Sequence, residues 1–229
     1  MTAGPELGAA FPPFALRVTT PRLELRYPTD DDVVAMFAAA RQGIHAPEDM
    51  PFGVAWTDGL ADPDAGVRFL QHAWAARASL GRDSWHLHLA VVEDGTVLGG
   101  QSLLADAFAV LRTVGTGSWL ARPYQGRGLG TEMRSAVLHL AFVGLGARVA
   151  TSSAFADNLA SLRVSEKLGY EPNGEDEVAP RGVARRHLHR RLTRERWQVG
   201  RRDDIALHGL EPCLALLGAD HAPAGRAGT

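Results

Sequence analysis

The segment Trp119-Leu120-Ala121-Arg122-Pro123-Tyr124-Gln125-Gly126-Arg127-Gly128-Leu129-Gly130-Thr131 is the part of this 229-residue chain whose residue types and spacing point most directly to chemistry. Glycines without side chains let backbone N–H groups approach a ligand closely, and a helix starting there adds the partial positive charge of its N-terminus. Together they bind phosphate. Arg122 and Arg127 add formal charge. The glycines fall as G-x-G-x-G, so they match neither the dinucleotide loop nor the lysine-bearing triphosphate loop. Gly115-Thr116-Gly117-Ser118 has the wrong spacing for the nucleophile elbow of a serine hydrolase.

Two histidine pairs, His86-x-His88 and His187-x-His189, each place two imidazoles on one strand face. A metal site needs a third and usually a fourth ligand, and the lone Cys213 lies in no motif, so no metal is expected. Arginines crowd residues 181–202. They read as a solvated face, an oligomer interface or an anion-binding rim. Their planar forks would also suit a ligand ending in a carboxylate. No nucleic-acid motif accompanies them, so no specific nucleic acid is expected as partner; salt-sensitive RNA binding would mark that alternative.

The surrounding elements have to hold the glycine-rich turn. Leu16 to Arg26 alternates apolar and polar residues as a strand, broken at Pro21. Thr29-Asp30-Asp31-Asp32 starts a helix that runs to about Arg41. Residues near 64–80 form a second helix with Val67, Leu70, Trp74 and Ala78 on its apolar face. Trp85–Val92 and Val97–Leu104 make a hairpin around Asp94-Gly95, and Arg112–Leu120 is the next strand. A helix from Thr131 to about Gly144 buries Met133, Val137, Leu140 and Ala141, with Glu132, Arg134, Ser135 and His139 elsewhere. Arg148–Ser153 is a strand parallel to the one before that helix. Asp157 or Asn158 caps another helix, which Gly169 ends. His187–Leu192 is a last strand.

The turn resembles the acyl-CoA loop of the GNAT N-acyltransferase superfamily, [QR]-x-x-G-x-[GA], here Gln125-x-x-Gly128-x-Gly130. Downstream, Asn158-x-x-Ser161-x-x-Val164-Ser165-Glu166-Lys167-Leu168-Gly169-Tyr170 is similar to the branch of the ribosomal-protein N-terminal acetyltransferases. So is Thr20-Pro21-Arg22-Leu23-Glu24-Leu25-Arg26 followed by Asp32. The resemblance implies an α/β fold with a mixed sheet of about seven strands: an antiparallel N-terminal half, splayed parallel central strands and flanking helices. It implies acyl-CoA as cosubstrate, carrying acetyl or, as in some members, succinyl. The backbone at Trp119 and Leu120 would face the cofactor arm. Gln125, Gly126, Arg127, Gly128, Leu129, Gly130 and Thr131 would hold the diphosphate, with amides 126, 128, 130 and 131 turned to it. Asn158 and Ser161 would contact the arm.

The implied reaction is direct attack of an amine on the thioester, the acceptor being a protein or small molecule. Ser165 takes the position of the proton donor to the leaving thiolate. Relatives often carry a glutamate base four residues before the tryptophan of the W-L pair. That position is Gly115 here, so a base must come from elsewhere; candidates are His45, Glu48, Asp49, His86 and His88. The missing carboxylate also leaves open a non-catalytic acyl-CoA sensor.

Composition bounds the rest. Apolar residues make up 45% and charged residues 22%, with net charge −2, which fits a globular chain and gives no bulk attraction to nucleic acid or anionic membrane. One cysteine allows no internal disulfide. No apolar run nears the ~18 residues of a membrane span, and residues 1–13 lack a signal-peptide pattern; a cytoplasmic protein is expected. All but Lys167 of the 24 basic residues are arginines. The organisation expected is a loose tail (1–13), an acyltransferase domain (14–199) and a partly ordered extension (200–229) whose leucines offer a homo-oligomer contact.

Overall fold

Pro21 decides how the fold begins. It removes a ladder donor, and the chain reverses there: β1 (Arg17–Thr19) and β2 (Glu24–Arg26) pair antiparallel, so the alternating stretch is a hairpin and not one interrupted strand. The computed structural model describes residues 5–220. Residues 5–13, expected to be loose, are ordered. α1 (Pro5–Ala10) and a 3-10 turn lead into β1, because Phe11 and Phe14 pack edge-on and tilted against Tyr27.

α2 (Asp30–Ala40) opens with a capping box: the Thr29 hydroxyl accepts from the Asp32 amide while the Asp32 carboxylate accepts from the Thr29 amide. α3 (Ala65–Ala78) departs from expectation. Val67 and Trp74 face outward, and the helix leans on α2 through Ala65 and the Phe37–Phe69 ring pair. β3 (Ser84–Glu93) and β4 (Thr96–Asp106) turn back at Asp94-Gly95, both at positive φ as a two-residue turn requires.

After the short α4 (Phe108–Leu111) come β5 (Thr113–Leu120), α5 (Leu129–His139) with a π turn over Leu140–Gly144, β6 (Val149–Phe155) and α6 (Leu159–Lys167). β7 (Glu171–Val178), β8 (Arg185–Thr193), α7 (Arg194–Val199) and β9 (Ala206–His208) complete the chain. The strand order is β7-β8-β6-β5-β4-β3-β2-β1-β9, and among the described residues only β5 and β6 run parallel. The sheet has nine strands, not seven. β7 has no apolar alternation and joins β8 through an antiparallel backbone ladder, with Glu175–Arg186 as an ion pair beside it. β9 is three residues long and docks on β1.

That docking corrects the reading of the extension. Ile205, Cys213 and Leu217 are buried in the main core, Leu207, Leu210, Leu214 and Leu216 pack against it, and the Trp85 indole donates to Leu217 O. These leucines cover their own chain. Residues 221–229 lie outside the described range. α5 is also buried on every side: Glu132, Arg134, Ser135 and His139 are as enclosed as Met133 and Val137. Among the described residues no helix is long and apolar enough to cross a membrane.

Candidate active site

β5 and β6 pair only from Thr113↔Val149 to Thr116↔Ser152. Beyond that point Gly117–Leu120 stays on β4, and Ser153–Phe155 stays on β8. The two parallel strands therefore part in the middle of the sheet and leave a wedge lined by unpaired backbone. α5 begins at the mouth of this wedge. Gly128, its N-cap, has φ +80°, and Gly126 has φ +75° with open space where a side chain would stand. The amides of Leu129 and Gly130 have no carbonyl one turn back to bond, so they remain free for an anion.

Several expected contacts are committed otherwise. The Thr131 amide bonds Gly128 O at 3.2 Å, which turns it away from a diphosphate. Gln125 donates from one amide nitrogen to both Ile44 O and Leu120 O, each at 2.7 Å, and so ties the loop after α2 to the end of β5. Arg127 pairs with Glu93, and its carbonyl accepts from Arg22. Leu129 is a core side chain and offers only backbone. Asn158 caps α6 by accepting the Ser161 amide, and Ser161 O accepts the Ser165 hydroxyl at 3.1 Å. Ser165 is 2% exposed. Trp119 turns its ring to the other face of the sheet, against Trp56, which continues to Phe52 and His45.

Two residues at the wedge escaped the sequence reading. Arg134 is 3% exposed, and its fork donates to Ser152 Oγ on β6 and Ser118 Oγ on β5, both at 3.0 Å. It bridges the strands where they separate, and its Nε has no partner. Arg22 grips Glu132 at the start of α5 and approaches Gly128. The only signals were positional: Arg134 stands four residues after Gly130, and Arg22 lies in the Thr-Pro-Arg-Leu opening.

The base candidates are not brought to the wedge in usable form. A side chain at Gly115 would meet Leu104 Cδ1 at 2.9 Å, so β5 has no room for a carboxylate there without rearrangement. His45 faces Ala46 O through Nδ1 and the Thr57 hydroxyl through Nε2, each at 2.8 Å, which engages both ring nitrogens. Glu48 and Asp49 are exposed on the α2–α3 loop. His86 and His88 stack at 3.8 Å, with His72 of α3 against His88. Burial, with the two neighbouring imidazoles, pushes His88 down to about 3, too weak to take a proton at neutral pH.

The C-terminal arginines are largely neutralised. Arg181, Arg185, Arg186, Arg196, Arg201 and Arg202 each pair with a carboxylate, which removes most of a nucleic-acid footprint. Arg181 and Arg185 also bond Pro47 O and Met50 O, so the β7–β8 connection and the start of β8 are tied to the α2–α3 loop as one rim. The second histidine pair has gained a neighbour: Asp176 lies between His187 and His189.

Residues 22–171 match the acetyltransferase (GNAT) domain family. Among solved structures, RimL, a ribosomal alpha-N-protein acetyltransferase in complex with coenzyme A, is similar at TM-score 0.64 and 17% identity, over 76% of this chain and 95% of that one. RimJ of Mycobacterium smegmatis, in complex with CoA-disulfide, is similar at TM-score 0.62 and 20% identity, over 79% and 86%. A microcin self-immunity acetyltransferase in complex with acetyl-CoA and AMP is similar at TM-score 0.59 and 16% identity, over 76% and 93%.

Proposed function

Because this chain belongs to the acetyltransferase (GNAT) domain family, we propose that it is an acyl-CoA-dependent N-acyltransferase. It moves an acetyl or succinyl group to the amine of a protein or small molecule. The observation that carries this reading is the wedge between β5 and β6 with the α5 N-terminus at its mouth. The residues present suit coenzyme A. Free amides and helix dipole receive the diphosphate, and unpaired strand backbone suits the amides of the pantetheine arm. The matched RimL and RimJ structures hold coenzyme A.

The cosubstrate supplies an activated thioester carbonyl. The chain holds it in line, since orientation alone removes much of the barrier. Ser165, two turns along α6, gives a proton to the departing sulfur on this reading. The rim of the α2–α3 loop and the β7–β8 connection shapes the acceptor site, with Trp56 and Trp119 as an apolar wall.

Thermal shifts with a panel of acyl-CoAs identify the donor, and an acceptor screen for amine-dependent thioester cleavage tests the reaction. Stabilisation by acetyl-CoA with no turnover of succinyl-CoA removes the succinyl arm. The filled position at Gly115 favours one rival, a sensor; it predicts coenzyme A binding without cleavage for any amine.

A further inference from the structure

Attack on a thioester needs an unprotonated amine, and β5 supplies no base. The next place to look is the strand on the other side of the wedge. Ser152 reaches Arg134 of α5, so alternation along β6 sends Thr151, Ser153 and Phe155 to the opposite face, the face of Trp119 and the α2–α3 loop. Ser153 is the first residue past the last β5–β6 pair, and it is exposed between buried Ser152 and Ala154. An exposed residue inside a central strand marks the floor of a cleft.

Across the ladder from Ser153 stands His189, and across from Phe155 stands His187. Asp176 of β7 pairs with His187, and its Oδ1 is 3.2 Å from both His187 Nδ1 and His189 Nε2. An ionised carboxylate only accepts hydrogen bonds. The hydrogen bond therefore places the proton on His187 Nδ1, while His189 Nε2 stands at ion-pair distance from the same oxygen, which favours a proton there and leaves Nδ1 as its lone-pair atom. His187 packs its ring on Phe155 at 5.0 Å and its side chain is 16% exposed, whereas that of His189 is 34% exposed.

We propose that His189, beside Asp176, takes the proton from the acceptor ammonium; this rests on the acyltransferase reading above. One ammonium proton passes to His189 Nδ1 and on to water. The neutral nitrogen then bonds the thioester carbon as the carbon–sulfur bond breaks, and the second proton it sheds balances the one the thiolate takes up. Asp176 stands close enough to stabilise the protonated ring by its charge, the electrostatic part of what a carboxylate does for an imidazole in a hydrolase triad. The charged groups on this face are Asp176, His187, Arg185 (held by Asp157 and Met50 O), Arg191 and, opposite it, Glu171. The α2–α3 loop adds His45, Glu48, Asp49 and Asp58, the last paired with Arg181. β6 contributes no titratable side chain there.

The test uses the full-length chain, acetyl-CoA, and a panel of peptide α-amines, lysine peptides and small amines, with coenzyme A affinity measured by calorimetry. His189→Gln should lower kcat/KM for an ordinary amine about 10²-fold at neutral pH, with coenzyme A affinity unchanged. The acid limb of the pH profile should move up to the ionisation of the amine itself, so that rate returns only as alkali deprotonates the acceptor. With hydroxylamine, already unprotonated at neutral pH, the variant should match the wild type after subtraction of the uncatalysed rate. His187→Gln should keep the acid limb. An unchanged rate in His189→Gln, or an equal loss with hydroxylamine, overturns the assignment. Loss of wild-type activity on chelation and its return with zinc also overturns it, in favour of an ion on Asp176, His187 and His189. A wild type that binds coenzyme A but turns over no amine removes the acyltransferase reading itself.

Discussion

Arg22 closes on Glu132: its Nε lies 2.7 Å from Oε2, while the Thr20 hydroxyl donates to Oε1 at 2.7 Å. The β1–β2 turn is thereby bolted to the first turn of the helix that carries the glycine-rich loop. Burial alone would raise the Glu132 carboxyl, but the hydrogen bonds from Thr20 and Arg22 and the charge of Arg22 outweigh it and hold the group below the ordinary glutamate range.

Glu132→Gln is expected to lower unfolding free energy by about 2 kcal/mol at neutral pH, the scale of charged hydrogen bonds to a buried acceptor. A carboxyl whose folded pKa is depressed contributes above its unfolded value and loses that contribution as pH falls through the folded one. The difference between variant and wild type in urea melts should therefore shrink on acidification below about pH 4. A difference that stays constant on acidification contradicts this account.

Gly128 tests the loop. At φ +80° a β-branched residue carries strain of about 1–3 kcal/mol, which would disturb the turn that offers its amides to the diphosphate. Gly128→Val should weaken coenzyme A at least about tenfold in calorimetry. Undiminished affinity in a folded variant would refute the phosphate role of this turn.

Ser165→Ala separates binding from chemistry. The hydroxyl bonds only within its own helix at rest, and alanine is the better helix former, so stability and coenzyme A affinity should hold. Turnover should fall about 10²-fold. Full turnover would reduce Ser165 to a helix residue.

Arg134 carries a charge whose partners are the hydroxyls of Ser118, Ser152 and Tyr170 and, among the described residues, no paired carboxylate. Such a cation is expensive to bury. Arg134→Met is therefore expected to unfold at the same or higher urea concentration than the wild type while binding coenzyme A more weakly, the trade of stability for function found at sites. Lower stability with full binding would make Arg134 a structural brace.

Much of this was legible in residue order. The glycine spacing, the Thr29 cap, the Asp94-Gly95 turn and the parallel pair around α5 all depend on neighbours a few positions apart, where local sterics and hydrogen bonds dominate. The roles of Gln125 and His45 were not legible. Each is set by a carbonyl or hydroxyl brought in by folding, at Ile44 and Thr57.

Sequence by itself determined that a helix begins at a bare glycine turn between two parallel strands, because backbone freedom and periodicity are local. Tertiary structure alone decided that Leu104 fills the place of a base beside Gly115, that Arg134 spans the diverging strands, and that Asp176 meets His187 and His189. Those contacts join separate strands and helices, and their distances exist only once the sheet has registered.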